Sequence, residues 1–497
     1  MKLSYILKDI IVPWERRIMP DSDPEIDPEI TSIHSLAQEV KPGGLFIAIK
    51  GFVKDGHDYI DTALENKAAA IIVQDAISRK ANIIQVNNTR KAMAGIADSF
   101  YGKPTDKFTL IGITGTNGKT TTTWLLESIL LAAGYKVGVI GTINVRYNGK
   151  IIDTPVTTPE SIDLQKIFAD MHKQGVTHVI MEVSSHALDL HRVDNCRFDI
   201  GIFTNLTQDH LDYHKTMEAY WKSKKSFFTK ILTAPNPKGR PTAVLNIDNK
   251  KGASLAETLN KKNMAVLKVG INKTSDLFCK DVKDDISGLK ASISKNGKSI
   301  KFHSLLAGGF NLENILCATG AADSLGISFE DIKKGIEVCK NIPGRLERID
   351  NDINRFIFVD YAHTPDALES ILKTLKSRAK SKVITVFGCG GDRDPLKRKI
   401  MGSIAANYSD IIIVTSDNPR SEDPEKIIQD ILEGITLKDT AKELIVEIDR
   451  KKALETAVKR SEPEDIIIAA GKGHETYQIL KTGKIDFDDR VILREAV

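Results

Sequence analysis

A glycine-rich loop that ends in lysine and threonine is the clearest chemical signal in this sequence. Residues 115–120 read GTNGKT, immediately after the apolar run FTLIGIT and before the helical pattern KTTTTWLLESILLAAG. A strand, a glycine turn and a helix start direct backbone N–H groups and the helix dipole onto a phosphate group. The usual loop has four residues between its glycines and this one has two, but the context favours a phosphate site over a turn with an exposed lysine. The predicted contacts are Gly115, Thr116, Asn117, Gly118, Lys119, Thr120 and Thr121.

Groups that could bind a divalent cation stand on this loop and after other apolar runs. In a phosphate loop, Lys119 would contact the β and γ oxygens and the Thr120 hydroxyl would coordinate Mg²⁺. Glu182 ends the run HVIME, and Asp209 and His210 follow the run IGIF. Because the carboxyl ends of parallel strands meet at one edge of a sheet, we expect Glu182 and His210 to supply further metal ligands. The alternative for each is a solvated or helix-capping side chain.

These motifs need an α/β scaffold, and the chain divides into three regions of that kind. With 497 residues, 41% of them hydrophobic, it is long enough for about three domains. We predict a small α/β domain over residues 1–104, a central domain over 105–341 and a carboxyl-terminal domain over 342–497. Alternating β-like and helical runs in the central region predict a P-loop ATPase-like, mostly parallel sheet with helices on both faces.

Two local patterns refine this fold prediction. Asn296-Gly297 separates two alternating segments, which predicts a β-hairpin. In the last region the runs RFIFVDYAH, KVITVFGCGG, DIIIVTSDN and DIIIAAGKGHE predict four strands of a Rossmann-like, doubly wound domain. Its functional loops should follow the carboxyl ends of these strands.

The composition argues against several classes of protein. A net charge of +4, with basic residues spread along the chain, does not indicate a nucleic-acid surface. Five widely spaced cysteines without a C-x-x-C pair indicate neither a disulfide framework nor a zinc site. No apolar run approaches the ~18 residues of a membrane helix, and we find no leader-cleavage pattern. We expect a cytoplasmic monomer that binds small molecules and neither nucleic acid nor membrane.

The order of the motifs resembles that of the Mur ligases of peptidoglycan synthesis. The matching segments are GTNGKTTT, TTPE, EVSSHALDLHRV, TNLTQDHLDYH, GGFNLENILCATGAA, GRLERI, VDYAHTPDAL, GCGGDRD, SDNPRSEDP and AGKGHE, and they span nearly the whole chain. The short loop GTNGKT is that family's form. The resemblance implies that an amino acid is joined to a carboxylate of a UDP-linked muramoyl peptide through an acyl phosphate, while ATP becomes ADP and phosphate.

The resemblance also implies further roles around the ATP. Lys119, Glu182 and His210 occupy the family's catalytic positions, and a lysine that the family carries as N6-carboxylysine falls on Lys224. Its carbamate is an anion that could bind a second Mg²⁺. Without the family, Lys224 would be assigned to a solvated basic face. The implied nucleotide contacts farther along the chain are Asn311, Arg345 and Asp360, and Asn314 stands either as a contact or as a helix cap.

The UDP-muramoyl contacts that the resemblance implies are Thr157, Thr158, Ser184 and Arg192. An arginine suits a diphosphate or a carboxylate. The chain departs from the family pattern at Leu190, where many relatives have glutamine, and at Leu36-Ala37-Gln38, where they have Asp-Ser-Arg. Uridine contacts in the first domain are therefore left unassigned.

The amino acid substrate is predicted from charge. Diaminopimelate differs from lysine by a distal carboxylate, which needs a bidentate cationic partner when it is buried. Arg420 in DNPR suits this role, Arg393 lies in a neighbouring strand-end loop, and relatives that take lysine lack the DNPR arginine. Glu475 and the backbone near Gly471 could hold the distal ammonium. We therefore expect meso-diaminopimelate, and the predicted contacts are Arg393, Asp417, Asn418, Pro419, Arg420, Gly471 and Glu475.

Three alternatives stay open at this point. The same reaction could use L-lysine. A ligase of the folylpolyglutamate synthetase type would share the ATP loop but should lack DNPR and the first domain. A nucleotide-switched binding protein would turn over ATP slowly and would not respond to small amino acids.

Overall fold

The structure, a computed structural model, describes residues 1–8, 14–18, 27–77, 81–436 and 442–497. The chain forms two compact units. Unit 1 comprises Met1–Leu277 and Leu316–Ile332, and unit 2 comprises Phe278–Ile315 and Lys333–Val497. Among the residues described, no helix is both long and apolar enough to cross a lipid bilayer.

A small α/β sheet opens unit 1. Its strands are β1 (Trp14–Ile18), β2 (Ile33–His34), β3 (Leu45–Ile47), β4 (Ala70–Val73) and β5 (Asn82–Val86), and its helices are α1 (Leu3–Leu7), α2 (Ile60–Glu65) and α3 (Thr89–Phe100). The strand order is β1-β5-β4-β3-β2, and β1 alone runs antiparallel to its neighbour. Alternate strand residues face opposite cores, because Leu45 and Ile47 pack with α1 and α3 whereas Phe46 packs with α2.

A larger sheet holds the glycine-rich loop. Its strands are β6 (Thr109–Thr114), β7 (Val137–Ile140), β8 (Val145–Tyr147), β9 (Lys150–Ile152), β10 (His178–Glu182), β11 (Ile200–Phe203), β12 (Thr242–Asn246) and β13 (Ala265–Gly270). The helices here are α4 (Lys119–Ala132), α5 (Ser161–Lys173), α6 (Ser185–Asp189), α7 (Leu211–His214), α8 (Met217–Ser226) and α9 (Lys250–Asn260).

These eight strands follow the order β13-β12-β11-β6-β10-β7-β8-β9, and all pairs from β13 to β7 are parallel. Strands β8 and β9 add an antiparallel edge. Leu110 and Met181 pack with Phe168 of α5, whereas α4 covers β6, β7 and β10. Helices therefore lie on both faces of a mostly parallel sheet, as predicted. Strands β6, β10 and β11 are neighbours, so the segments that follow them meet at one edge of the sheet.

Unit 2 contains an antiparallel ribbon and a second parallel sheet. The remaining strands are β14 (Leu277–Asp285), β15 (Gly288–Lys295), β16 (Lys298–Ser304), β17 (Glu347–Ile349), β18 (Phe356–Asp360), β19 (Val383–Phe387), β20 (Ile411–Val414), β21 (Glu443–Val446), β22 (Ile466–Ala470), β23 (Tyr477–Leu480) and β24 (Gly483–Asp486). The remaining helices are α10 (Gly309–Ser324), α11 (Phe329–Val338), α12 (Pro365–Lys376), α13 (Leu396–Tyr408), α14 (Pro424–Leu432), α15 (Arg450–Arg460) and α16 (Asp489–Ala496). The predicted hairpin is confirmed, because β15 and β16 are antiparallel and Asn296-Gly297 joins them with positive φ at both residues.

The parallel sheet of unit 2 has the order β17-β18-β22-β19-β20-β21. All four predicted strands are present as β18, β19, β20 and β22, and all three of their pairings are parallel. Two edge strands were not predicted. Strand β17 has three residues and runs antiparallel, and β21 is only partly buried, so neither shows the continuous apolar run of a central strand.

Candidate active site

Glycines fix the shape of the loop between β6 and α4. Gly118 has a φ of +85°, a left-handed conformation, directly before the helix begins at Lys119. A Cβ on Gly115 would lie 1.9 Å from Thr204 Oγ1, so no larger residue fits there without moving the chain. The predicted sequence of strand, glycine turn and helix start is therefore present, with Thr120 and Thr121 buried in the first turn of α4.

The segment after β11 holds this loop in place. Asn205 accepts the N–H of Thr116 with its backbone oxygen and the N–H of Asn117 with Oδ1, both at 2.9 Å. The Thr204 hydroxyl donates to the Asn117 oxygen at 2.7 Å. In this arrangement the Thr116 and Asn117 N–H groups are bound to protein, so the first turn of α4 is the part of the loop that offers donors to a phosphate.

Two lysines converge on the carbonyl oxygen of Gly115. Lys119 Nζ donates to it at 3.0 Å and Lys224 Nζ at 2.7 Å. Lys224 is 1% exposed, and its Nζ lies 4.6 Å from the centre of the Tyr220 ring. Burial, and then the positive charge of Lys119, lower the pKa of Lys224 well below its ordinary value. The lowered pKa raises the fraction of Lys224 that is a neutral amine.

His210 lies beside these lysines with its ring favoured in the neutral form. It has a φ of +53° directly before α7, and its Nε2 is 3.4 Å from Asp209 Oδ2. Burial lowers the pKa of His210, the Asp209 charge opposes this, and His186, Lys119 and Lys224 lower it further. A neutral imidazole has a lone pair available for a cation.

Glu182 ends β10 opposite Ile113 of β6 and is 1% exposed. Its carboxylate accepts the Thr142 N–H at 3.0 Å and the Thr142 hydroxyl at 2.9 Å. Sequence reasoning did not identify Thr142. The only sequence signal was its position directly after Gly141, at the end of an apolar run. The structure shows why glycine precedes it, because a Cβ on Gly141 would lie 2.5 Å from Glu182 Oε1.

The predicted UDP-muramoyl contacts surround the same strand end. The hydroxyls of Thr142 and Thr157 are 3.1 Å apart. The Thr158 hydroxyl donates to the Glu182 backbone oxygen at 2.8 Å and accepts the Ser184 N–H at 3.2 Å. The Ser184 hydroxyl also caps α6. The structure thus brings Thr157, Thr158 and Ser184 together beside Glu182.

Arg192 joins this group through a shared carboxylate. It donates to the Thr158 oxygen at 2.9 Å and, through Nε, to Glu160 at 3.0 Å. Arg90, which sequence reasoning missed, contacts the same carboxylate at 3.3 Å. Two guanidinium groups therefore share one partly buried carboxylate, and the cluster carries a net positive charge. Of the departing positions, Leu36 is 56% exposed, and Leu190 is the C-cap residue that follows α6.

The donor set around the loop fits a magnesium ion. The Thr120 hydroxyl and the Glu182 carboxylate are oxygen ligands of the kind that Mg²⁺ prefers, and the neutral imidazole of His210 could add a nitrogen ligand. The described residues also place Asp55, His57 and Asp75 within 4.8 Å of one another. In that group, His57 Nδ1 is 2.6 Å from Asp55 and Nε2 accepts the Gln74 N–H at 3.0 Å. Both ring nitrogens are therefore already engaged within the protein.

The predicted nucleotide contacts of unit 2 occupy two places. Asn311 and Asn314 lie within α10 rather than at its cap, and Asn311 Nδ2 donates to the Ala307 oxygen at 2.7 Å. Asp360 ends β18 and accepts the N–H groups of residues 346 and 362 at 2.6 and 2.7 Å. Burial raises the pKa of Asp360 to about 6, although the charge of Arg345 opposes the shift. The Arg345 guanidinium lies 5.1 Å from the centre of the Tyr361 ring.

The loops after β19 and β20 interlock around Arg420. The Asn418 oxygen accepts the Gly391 N–H at 2.9 Å, and Arg420 Nη1 donates to the Gly391 oxygen at 2.7 Å. Arg393 is exposed on the first of these loops and donates to the Asp392 oxygen. The Pro419 oxygen packs so closely on Gly391 that a Cβ there would lie 2.0 Å from it. The two predicted arginines therefore stand on adjacent loops.

The loop after β22 completes this group. Glu475 Oε2 accepts from Asn418 Nδ2 at 2.8 Å and from Lys472 Nζ at 3.1 Å. Lys472 is fully buried and was not assigned from sequence, although it lies in the quoted segment AGKGHE. Gly471 has a φ of +113°, and a Cβ there would lie 2.5 Å from Asp417 Oδ2. Acidic and cationic side chains therefore lie together at the carboxyl ends of the adjacent strands β22, β19 and β20.

Known proteins similar to this chain include members of the Mur ligase family. Its models match as "Mur ligase family, catalytic domain" at residues 29–101, "Mur ligase middle domain" at 113–322 and "Mur ligase, glutamate ligase domain" at 344–473. A Geobacter metallireducens protein named UDP-N-acetylmuramoyl-L-alanyl-D-glutamate--2,6-diaminopimelate ligase is 46% identical over 477 residues, which are 93% of each chain. A Bacillus cereus protein of the same name is 44% identical over 474 residues, 95% of each chain. A solved structure described by that name has a TM-score of 0.70 and 31% identity over 94% of each chain.

Proposed function

The chain belongs to the Mur ligase family, and from this premise we propose that it adds meso-2,6-diaminopimelate to the D-glutamate of UDP-N-acetylmuramoyl-L-alanyl-D-glutamate in peptidoglycan precursor synthesis. The observation that carries the proposal is similarity over 93% of the chain to a relative named for that reaction. The placement of Arg420 among acidic and cationic groups at three strand ends supports the choice of amino acid. We propose ATP as the second substrate.

The chemistry requires activation of a carboxylate, which is a poor electrophile. A carboxylate oxygen of the D-glutamate attacks the γ-phosphorus of ATP, the bond to the bridging oxygen breaks, and an acyl phosphate and ADP result. The neutral amine of the amino acid then attacks the acyl carbon, its nitrogen loses one proton, and phosphate leaves with the electron pair of the broken C–O bond, which gives the amide. Positioning and charge neutralisation supply most of the catalysis in such steps. Lys119 and the first turn of α4 suit the charge on the β and γ phosphates.

We propose Thr120, Glu182 and His210 as the Mg²⁺ ligands. Bound Mg²⁺ neutralises phosphate charge and orients the phosphoryl group. The Thr142 contacts hold the Glu182 carboxylate in one orientation, and burial keeps His210 neutral. We also propose carbamylation of Lys224, which would make it an anionic ligand for a second ion. The low pKa of Lys224 supports this, because only a neutral amine attacks CO₂.

The UDP-muramoyl dipeptide is proposed to bind at Thr157, Thr158, Ser184 and Arg192. Their contacts with one another and with Glu182 support a single polar site at the end of β10. Arg90 adds a second cation to it. In unit 2, Asn311, Arg345 and Asp360 stay predicted nucleotide contacts.

Diaminopimelate is proposed to bind at Arg393, Asp417, Asn418, Pro419, Arg420, Gly471 and Glu475. Arg420 is partly buried and its guanidinium is already oriented by the Gly391 oxygen, which supports recognition of a carboxylate. Asp417 and Glu475 supply negative charge for ammonium groups. We further propose domains over residues 1–104, 105–341 and 342–497, and each matched family model falls within one of them.

The test is phosphate release from the purified protein with ATP, Mg²⁺ and the UDP-muramoyl dipeptide. We expect release that depends on meso-diaminopimelate, with much slower release for L-lysine and none without an amino acid. Release that is equal for the two amino acids would favour the lysine alternative. Slow turnover that ignores amino acids would favour a nucleotide-switched binding protein. The segment DNPR and the match over residues 29–101 argue against the folylpolyglutamate synthetase alternative.

A further inference from the structure

A fully buried ion pair lies beneath the proposed amino-acid site. Arg450, the first residue of α15, donates from Nε to Asp489 Oδ1 at 2.8 Å and from Nη2 to Asp489 Oδ2 at 2.6 Å. Both side chains are 0% exposed. Arg450 Nη1 is buried and has no hydrogen-bond partner among the residues described. A buried pair of this kind, with the two N–H donors of Nη1 unsatisfied, stabilises a fold little more than a well-packed apolar pair would. Stability alone therefore does not account for it.

Arg450 is also bonded to the start of the substrate loop. Its Nη2 donates to the Ala470 oxygen at 3.1 Å, and Ala470 is the last residue of β22. The next residue, Gly471, turns in a conformation that favours glycine and packs against the Asp417 carboxylate. Its N–H donates to the Asp360 oxygen at 3.0 Å. Arg450 thus holds the carbonyl from which the loop to Glu475 departs.

The charge of Arg450 acts on the same loop. Burial by itself would lower the pKa of Arg450, but the carboxylates of Asp489, Asp417 and Glu475 raise it above its ordinary value. The charge of Arg450 therefore interacts with the carboxylates of both loops, that of Asp417 and that of Glu475. Lys472 is the other buried cation at Glu475. The charged groups of this region are Asp417, Arg420, Arg450, Lys472, Glu475 and Asp489.

We propose that Arg450 is a positioning residue for the amino-acid substrate. It fixes the Ala470 carbonyl, and so it holds the loop that carries Gly471 and Glu475, which are proposed to receive an ammonium group. This inference rests on the proposed function, since it assumes that the loops after β20 and β22 bind diaminopimelate.

The experiment replaces the whole ion pair, so that no buried charge is left alone. The variant Arg450→Met with Asp489→Leu keeps approximate volume and removes both charges. We expect KM for diaminopimelate to rise at least tenfold, while KM for ATP and for the UDP-muramoyl dipeptide changes less than twofold. Arg355→Met is the matched control, because Arg355 bonds to Ser461 at the other end of α15.

Each possible outcome of this experiment either supports or overturns the proposed role of Arg450. Unchanged KM for diaminopimelate, or an equal rise of KM for all three substrates, would overturn the proposal. If the double variant does not fold, Arg450→Lys serves instead, since it keeps the charge but cannot make both contacts. It must raise KM for diaminopimelate selectively, and otherwise the proposal is rejected. If the wild-type protein shows no release that depends on diaminopimelate, the proposed function fails before the variants are compared.

Discussion

Replacement of Arg420 tests the predicted selection of the amino acid. Its guanidinium is held by the Gly391 oxygen at 2.7 Å, and its backbone N–H donates to the Ile479 oxygen at 3.0 Å. Arg420 has a φ of +54°, and alanine at this position would carry the same backbone strain as arginine. The variant Arg420→Ala therefore removes the cation while the loop keeps its main anchor.

The expected size of the effect follows from burial. Loss of one partner of a hydrogen-bonded charge pair costs about 2–5 kcal/mol. Arg420 is only partly buried, so we expect the lower half of this range, about 2–3.5 kcal/mol. Because ~1.4 kcal/mol corresponds to a factor of ten, kcat/KM for diaminopimelate should fall about 30- to 300-fold. L-Lysine has no distal carboxylate, so its kcat/KM should change far less.

The assay measures phosphate release at varied concentrations of each amino acid, and the ratio of the two kcat/KM values is the readout. Arg420→Lys should give an intermediate ratio, because it keeps the charge but loses the planar fork. Arg460→Ala, at the far end of α15 and exposed, is the control and should leave the ratio unchanged. A parallel loss for both amino acids in Arg420→Ala, or no loss for either, would refute the assignment of Arg420 to the distal carboxylate.

Three further predictions concern unit 1. Lys119→Ala should abolish phosphate release while the protein stays folded by circular dichroism, and near-normal turnover would remove the glycine-rich loop from the mechanism. Lys224→Ala should lose activity that short carboxylates restore in part, and failure of every carboxylate to do so would count against the carbamate. Asp98 is fully buried against Arg197, and burial raises the pKa of Asp98 from 3.8 to about 6. Because the folded pKa is the higher one, the stabilisation is complete below about pH 4 and is lost as the pH rises to about 6. Urea unfolding should show the wild type losing about 3 kcal/mol relative to Asp98→Asn over this range, and parallel pH curves would contradict the shift.

The elements that position the site could be predicted because their strands are apolar and buried. The runs that became β6, β10, β11, β18, β19, β20 and β22 are continuously apolar, which is the pattern of parallel strands covered on both faces. The edge strands β17 and β21 lack this pattern, since an edge strand needs no continuous apolar run. The division into two compact units also differs from a division by sequence, because residues 278–315 pack with the end of the chain.

Residues missed in the site act through partners that are distant in sequence. Thr142 meets Glu182 across 40 residues, Arg90 meets Glu160 across 70, and Arg450 meets Asp489 across 39. Thr142, Arg90 and Arg450 are common residue types, and no motif in the neighbouring sequence marks them. No spacing rule within one segment could have selected them.

The sequence by itself determined the kinds of chemistry and the order of the parts. Glycine spacing, strand periodicity and the motifs from GTNGKT to AGKGHE are local properties. They can be recognised in the sequence without knowledge of the fold. Only the tertiary structure decided which charges face one another. It buried Lys224 beside Lys119, enclosed the guanidinium of Arg450 against Asp489, and turned Glu475 onto Lys472. The physical reason is that desolvation and Coulomb interactions depend on distances through space, and folding alone sets those distances.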